Sequence, residues 1–359
     1  MKKTILDLSK LVPGMILAET VLSARKQVIL EKDTELTSHL INLLRKWKIT
    51  SVCVLASHTT RPPSYHDVMF PSLVSGYSNK LEDKYHKISI TAGSIFEYMR
   101  DQEQLPFDTL RQLAFHDLYN FIDDNTTLTF LYQAKPPLEY TYLHAVDVGI
   151  ITGLIARWCG FKEKTVQSLI LAGLMHDIGK SQIPRSILDK PGQPTVEEKA
   201  ILKLHPIYGY YMVKSLNHIP SAIQYAILQH HERENGSGYP GGLPSHKIHP
   251  FAKIIAIADT YDAMTSNRVY RHSITPFAAL EIMANEIFIH FDRDYCKLFI
   301  RNAISALTGS TVLLSDETQA EVLHFGSFMS IKPAVRRLDG TLLDLNNSDI
   351  SIVEVVKFA

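Results

Sequence analysis

"VQSLILAGLMHDIGK", residues 166–180, decides the fold, because an apolar run of helical periodicity ends abruptly in His176 and Asp177. A buried, unpaired imidazole or carboxylate is costly, so two of them closing such a helix call for a partner. The same grammar recurs along the chain. His144 sits inside "TYLHAVDVGIITGLIARWCG", His205 follows "AILKL", His230 and His231 follow "AIQYAILQ", and Asp259 follows "IIAIA". Each is drawn toward an interior by the apolar residues before it. One histidine of this kind is usually a satisfied core or surface residue, but five histidines and two aspartates together ask for a shared solution. Imidazole and carboxylate donors without thiolate favour a catalytic iron, manganese or zinc site over a structural zinc knot. Seven donors exceed the needs of one ion, so the count points to at least two. A bridging carboxylate would then hold them roughly 3.5–4 Å apart, as in phosphoester cleavage.

Outward from this stretch, helical segments fill residues 130–305, joined by short Gly- or Pro-bearing connections, which predicts an all-α domain. Residues 80–129 read as a helical connector. Residues 1–58 hold β-like runs ("MILAETVLS", "QVILEK", "SVCVLAS") around the helical stripe "TSHLINLLRKWKI" and read as a small α/β module. Residues 59–79, rich in Pro, Ser and turn formers, read as a linker. From 306 to 359 the pattern switches to period two, with a turn at "LDGT" and a last strand in "ISIVEVVKF", a small β unit. The expected fold class is therefore mainly α, a helical domain between two small β-containing flanks.

The chain has 359 residues, with Lys+Arg and Asp+Glu balanced at 37 each. No global basic field exists to attract a nucleic-acid polymer or an anionic membrane, so an anionic ligand must be held locally. Cys53, Cys159 and Cys296 lie far apart without a CxxC pair, which suits a reducing compartment and predicts a cytoplasmic protein. The longest apolar run, "SLILAGLM", is far too short to span a bilayer, and charges and Pro13 interrupt the N-terminus before it reaches signal-peptide length. Two further His-Asp pairs act as controls: His66-Asp67 in the Pro-rich stretch and His116-Asp117 on an amphipathic helix lack ligand-like neighbours and read as structural or solvated.

"HDIGK" at 176–180, "KPG" at 190–192, "HP" at 205–206, "HHE" at 230–232, "GYPGG" at 238–242, "IADTYDAMTSNRVYR" at 257–271 and "YTYLH" ending at His144 together resemble the HD-GYP family. That family is the bacterial branch of the HD metallohydrolases that hydrolyses cyclic di-GMP. The match covers about 130–305, and residues 1–58 look like the small module that often precedes such domains. The resemblance implies a metal-dependent phosphodiesterase that cleaves cyclic di-GMP to pGpG, and on to GMP in some members, with a metal-activated water. It implies His144, His176, Asp177, His205, His230, His231 and Asp259 as metal ligands, with Asp177 as the bridge and Lys180 polarising the scissile phosphate or the water. Gly238, Tyr239 and Pro240 would contact the substrate, and Arg268 and Arg271 its phosphates. Glu232 and Asp262 read as residues orienting imidazoles, or as plain helix-end charges. The commoner "DRPYR" reads "NRVYR" here, which keeps both arginines. Tyr140 stands where the three-metal subgroup carries Glu, which favours two divalent ions, iron or manganese, over three. The partners implied are cyclic di-GMP and, for signalling, a second copy of the chain or another protein. Two alternatives stay open: a catalytically weak cyclic di-GMP receptor acting through protein partners, and an HD phosphohydrolase of another cyclic dinucleotide.

Overall fold

Apolar periodicity becomes helix from Asn79 onward. In α1 (Asn79–Gln102) the buried residues Leu81, Tyr85, Ile88, Ala92, Ile95 and Met99 recur every three or four positions and form one stripe. The structure is a computed structural model. It describes the chain apart from residues 1, 9–10, 12–14, 23–27, 31, 33, 35, 37–43, 45–48, 57–78, 103, 123–125, 134–139, 189, 191, 217, 267–272, 326–331 and 359.

The chain divides into two compact units, Met1–Gly76 and Tyr77–Ala359. In the first, β1 (Lys2–Asp7) pairs antiparallel with β4 (Ser51–Ala56), and β2 (Val21–Leu22) pairs with β3 (Val28–Leu30). Leu8, Leu11, Leu17, Val21, Leu36, Leu44, Val52 and Val54 form its core. The helix expected over 37–49 lies outside the described residues, apart from buried Leu44 and part-buried Ile49, as does the stretch 59–79 read as linker, apart from Asn79, which opens α1.

In the second unit, α2 (Phe107–Gln112) runs through a π-helical turn, Leu113–Leu118, into α3 (Tyr119–Phe121). Then come α4 (Thr127–Gln133), α5 (Tyr140–Trp158), α6 (Glu163–Met175), α7 (Arg185–Leu188), α8 (Val196–Leu202), α9 (His205–Lys214), α10 (Ser221–Gln229), α11 (Pro250–Thr265), α12 (Pro276–Glu286) and α13 (Arg293–Leu307). Local chemistry fixes where several begin. Thr195 and Glu198 close a capping box on α8, Thr275 caps α12, and Asp292 accepts from two backbone amides to start α13. α5, α6 and α11 are apolar almost all round because they occupy the centre, with Val146, Ile150, Leu169, Leu174, Ile255 and Ile257 fully buried. Each such side chain contributes about 1.5–3 kcal/mol on burial.

β5 (Thr311–Leu314), β6 (Gln319–Phe325), β7 (Pro333–Arg337), β8 (Leu342–Asp344) and β9 (Ile352–Lys357) form an antiparallel sheet of order β8-β7-β6-β5-β9. Alternation in β5 buries Val312 and Leu314 and leaves Thr311 and Leu313 part-exposed, as period two requires. The sheet belongs to the same compact unit as the helices, and Phe358 meets Tyr132 of α4 edge-on. The fold is thus mainly helical, with small sheets toward each end of the chain. Among the described residues no helix is long and apolar enough to cross a membrane.

Candidate metal centre

Helix ends deliver the predicted donors to one place. His144 comes from the second turn of α5, His176 caps α6, His205 opens α9, His230 caps α10 with His231 next to it, and Asp259 comes from α11. Asp177 has φ −102° and ψ 7°, the bridge region, which breaks the helical path just past the end of α6. Gly179 lets the following 3-10 turn, Ile178–Gln182, lie against α9, since a Cβ there would stand 2.0 Å from the carbonyl oxygen of His205. All seven residues are buried except His231, whose side chain is 18% exposed.

The seven fall into two groups. Asp177, His205, His230 and His231 form one, and His144, His176 and Asp259 the other. Asp177 faces both: its Oδ1 is 3.1 Å from His205 Nε2 and 4.0 Å from His230 Nε2, while its Oδ2 is 3.2 Å from His176 Nε2 and 3.8 Å from His144 Nε2. One carboxylate therefore addresses each group with a different oxygen.

The far side of each ring sets the tautomer. The Nδ1 atoms of His176, His205 and His230 lie 2.7, 2.7 and 2.8 Å from the carbonyl oxygens of Gly173, Leu202 and Ile227. A carbonyl only accepts, so each Nδ1 donates and each Nε2 points a lone pair inward. His144 Nδ1 meets Asp262 Oδ2 at 2.7 Å, and Ser266 donates to the other oxygen of Asp262 at 2.8 Å. Asp262 thus orients the imidazole of His144.

These inward atoms are poor partners for one another. The Nε2 atoms of His205 and His230 face each other at 3.3 Å, and buried His176 Nε2 and Asp177 Oδ1 have no hydrogen-bond partner. Converging lone pairs and orphaned buried acceptors suit a divalent cation, and the nitrogen and oxygen donor set fits one. Charge states of four donors agree. Burial, then the neighbouring His231, His176 and His205, holds His230 well below the usual imidazole value. Burial likewise pushes His231 down to about 3, against the pull of Asp259. Both are therefore neutral, the form that ligates. Burial would raise Asp177 and Asp259, but Lys180 and His176 for the first, and His144 and His231 for the second, outweigh it and hold both carboxylates well below their ordinary range. At His144 burial lowers the pKa, yet Asp259 and Asp262 carry it up to about 9.

A cavity of about 730 Å³ opens onto this cluster and is lined by Asp177, Asp259, Tyr239, Lys180, Lys203 and Ile282 among others. Lys180 Nζ is bonded to Asp177 Oδ2. Tyr239 stacks on His231 with ring centroids 4.6 Å apart. Gly238 has no room for a side chain, because a Cβ would stand 2.4 Å from the His231 carbonyl oxygen, and the Tyr239 amide donates to that same oxygen at 3.1 Å. Pro240 follows in the same loop. Glu232 does not orient an imidazole. Its two oxygens accept from the amides of Gly241 and Leu243 at 2.7 and 2.9 Å, which ties the glycine-rich loop to the end of α10. Arg268 and Arg271 lie outside the described residues, as does the side chain of Tyr140. His116 and Asp117 are solvent-exposed, as their sequence context implies. Lys199 and Lys203, which also line the cavity, do not stand out in the sequence, although their four-residue spacing on one helix face is a readable signal.

This arrangement defines a class. Residues 125–295 match the family model described as HD domain. Among similar proteins is a cyclic di-GMP phosphodiesterase of Pseudomonas aeruginosa, 34% identical over 209 residues, covering 58% of this chain and 50% of that protein. A cyclic di-GMP phosphodiesterase response regulator of Xanthomonas campestris pv. campestris is 41% identical over 131 residues, 36% of this chain and 35% of its own length. A 3'3'-cGAMP-specific phosphodiesterase of Vibrio cholerae is 32% identical over 166 residues, 46% of this chain and 38% of its own. The chain thus spans half the length of the first of these relatives and less of the others.

Proposed function

We propose that the chain is a cytoplasmic, metal-dependent phosphodiesterase that hydrolyses cyclic di-GMP to pGpG at a two-metal site. The observation that carries this reading is Asp177, whose two oxygens each address a separate group of buried ligands. His144, His176 and Asp259 would hold one ion, His205, His230 and His231 the other, with Asp177 shared. Divalent ions bound there, iron or manganese, supply Lewis-acid chemistry: they acidify water and offset charge on phosphoryl oxygens.

The chain's own residues do the rest. Lys180, bonded to Asp177 and lining the cavity, brings an ammonium to the place where a scissile phosphate would gain charge. Tyr239, fixed by its stacking on His231 and by the loop that Glu232 pins, offers a flat face to a base or ribose. Cavity walls from Leu188, Leu202, Met264 and Ile282 shed water around the ligand. Arg268 and Arg271 remain the proposed phosphate-binding arginines from the sequence motif. Tyr140 at the three-metal position supports two ions and hence the linear product. The free, separated cysteines support the cytoplasmic placement. Domain limits at 58, 79, 129 and 305 are part of the same proposal, with 1–58 as an input module and 306–359 as an appended β unit.

The Vibrio cholerae relative, named for 3'3'-cGAMP, favours one further reading, another cyclic dinucleotide as the substrate. Anaerobically purified, metal-loaded protein incubated with cyclic di-GMP and 3'3'-cGAMP, followed by chromatography, separates the two. The expected result is pGpG from cyclic di-GMP at the higher kcat/KM. Binding without cleavage of either would overturn the enzymatic reading and leave the receptor.

A further inference from the structure

The cations lining the cavity differ in how they are already engaged. Lys180 is bonded to Asp177, Lys190 to Glu198 at 2.8 Å, and Arg233 to the carbonyl oxygens of His230 and Glu232 at 3.1 and 3.0 Å. Lys199 and Lys203 pair with no carboxylate among the described residues, yet both line the same cavity. Lys203 closes the C-terminal end of α8 four residues after Lys199, so the two ammoniums lie on one helix face and repel each other. Lys203 Nζ stands 5.3 Å over the ring of Tyr239, and the same ring stacks on His231 of the His/Asp cluster. Tyr239 therefore touches both the His/Asp cluster, through His231, and the lysine pair, through Lys203.

A cyclic dinucleotide carries two phosphodiesters on opposite sides of one sugar–phosphate ring, and only one is cut at a time. We propose that Lys199 and Lys203 hold the phosphate that is not being cut, with Tyr239 in contact with both the lysine pair and the His/Asp cluster. Two facing lysines that repel in the free protein gain a common partner when that anion arrives. The pair thereby selects a ligand with two phosphates over one with a single phosphodiester. This rests on the phosphodiesterase reading and adds a substrate requirement to it.

The test uses the full-length, metal-loaded protein and two substrates: cyclic di-GMP, and bis(p-nitrophenyl) phosphate, which has one phosphodiester and no second phosphate. In the K199A/K203A variant, KM for cyclic di-GMP is expected to rise about ten-fold or more, from the loss of two charge-assisted contacts. The ratio of kcat/KM for cyclic di-GMP to that for bis(p-nitrophenyl) phosphate should fall by a similar factor. K199R/K203R should restore it, and the salt dependence of KM should flatten in the alanine variant. Both lysines are solvent-exposed, so neither change disturbs the core. An unchanged ratio overturns the proposal. Should the wild-type protein bind cyclic di-GMP without cutting it, the enzymatic reading fails by itself. The lysine pair then predicts the same ten-fold loss in equilibrium binding, and equal affinity of wild type and variant would overturn it.

Discussion

Asp177 faces two groups of buried His and Asp donors with different oxygens. Its position after an apolar helix, its bridge-region backbone and the Lys180 ammonium on Oδ2 together keep a buried carboxylate ionised and aimed at four imidazoles. Lys180 has a separable task, since it touches Asp177 but is not itself a metal donor. Lys180→Ala should keep its metal complement while kcat falls about 10²–10³-fold, the usual cost of losing a group that offsets developing charge. Loss of metal in that variant, measured by elemental analysis, would reassign Lys180 to holding the site together. The convergence of these His and Asp residues was legible in the sequence because an apolar run that stops at His or Asp buries a polar group that needs a partner. The role of Glu232 was not legible, because its partners are the backbone amides of Gly241 and Leu243. A backbone donor leaves no side-chain signature.

At the scale of elements, helix termini organise the centre, so what fixes a terminus matters to function. α11, which carries Asp259 and Asp262, starts at His249, whose Nδ1 accepts from the Phe251 amide at 3.1 Å. Burial lowers the pKa of His249 below its ordinary value of 6.5, and a protonated ring cannot accept this bond. The sign follows: the folded form holds the proton less well, so the cap's stability is present above pH 6.5 and is lost as the pH falls through the lowered value. His249→Ala should cost about 1 kcal/mol at pH 8 and progressively less toward pH 5, read from denaturant unfolding of both proteins. A pH-independent difference would show that packing, not capping, is the residue's role. Helices with strong apolar periodicity were legible in the sequence, and so were the period-two strands of the tail. β1 was not, because "KKTILD" carries three charges and its pairing partner, Ser51–Ala56, lies far along the chain. The lysines of α8 were hidden for a related reason: on an amphipathic helix, charge reads as a solvated face until the cavity beneath it is known.

The whole chain comprises two compact units, and the proposed chemistry belongs to the second, which holds the residues that match the HD domain model and the five-stranded sheet. Formal charge is balanced overall, yet the cavity gathers Lys180, Lys190, Lys199, Lys203 and Arg233 around a buried His/Asp cluster. Composition averaged over 359 residues could not reveal this local concentration. The central claim is that Asp177 joins two ion sites, and counting metal ions per chain tests it most directly. Protein purified anaerobically should carry two divalent ions per chain, and Asp177→Ala should carry fewer than one and have no hydrolytic activity. A wild-type chain that binds a single ion, or an Asp177→Ala chain that keeps two, would contradict the account.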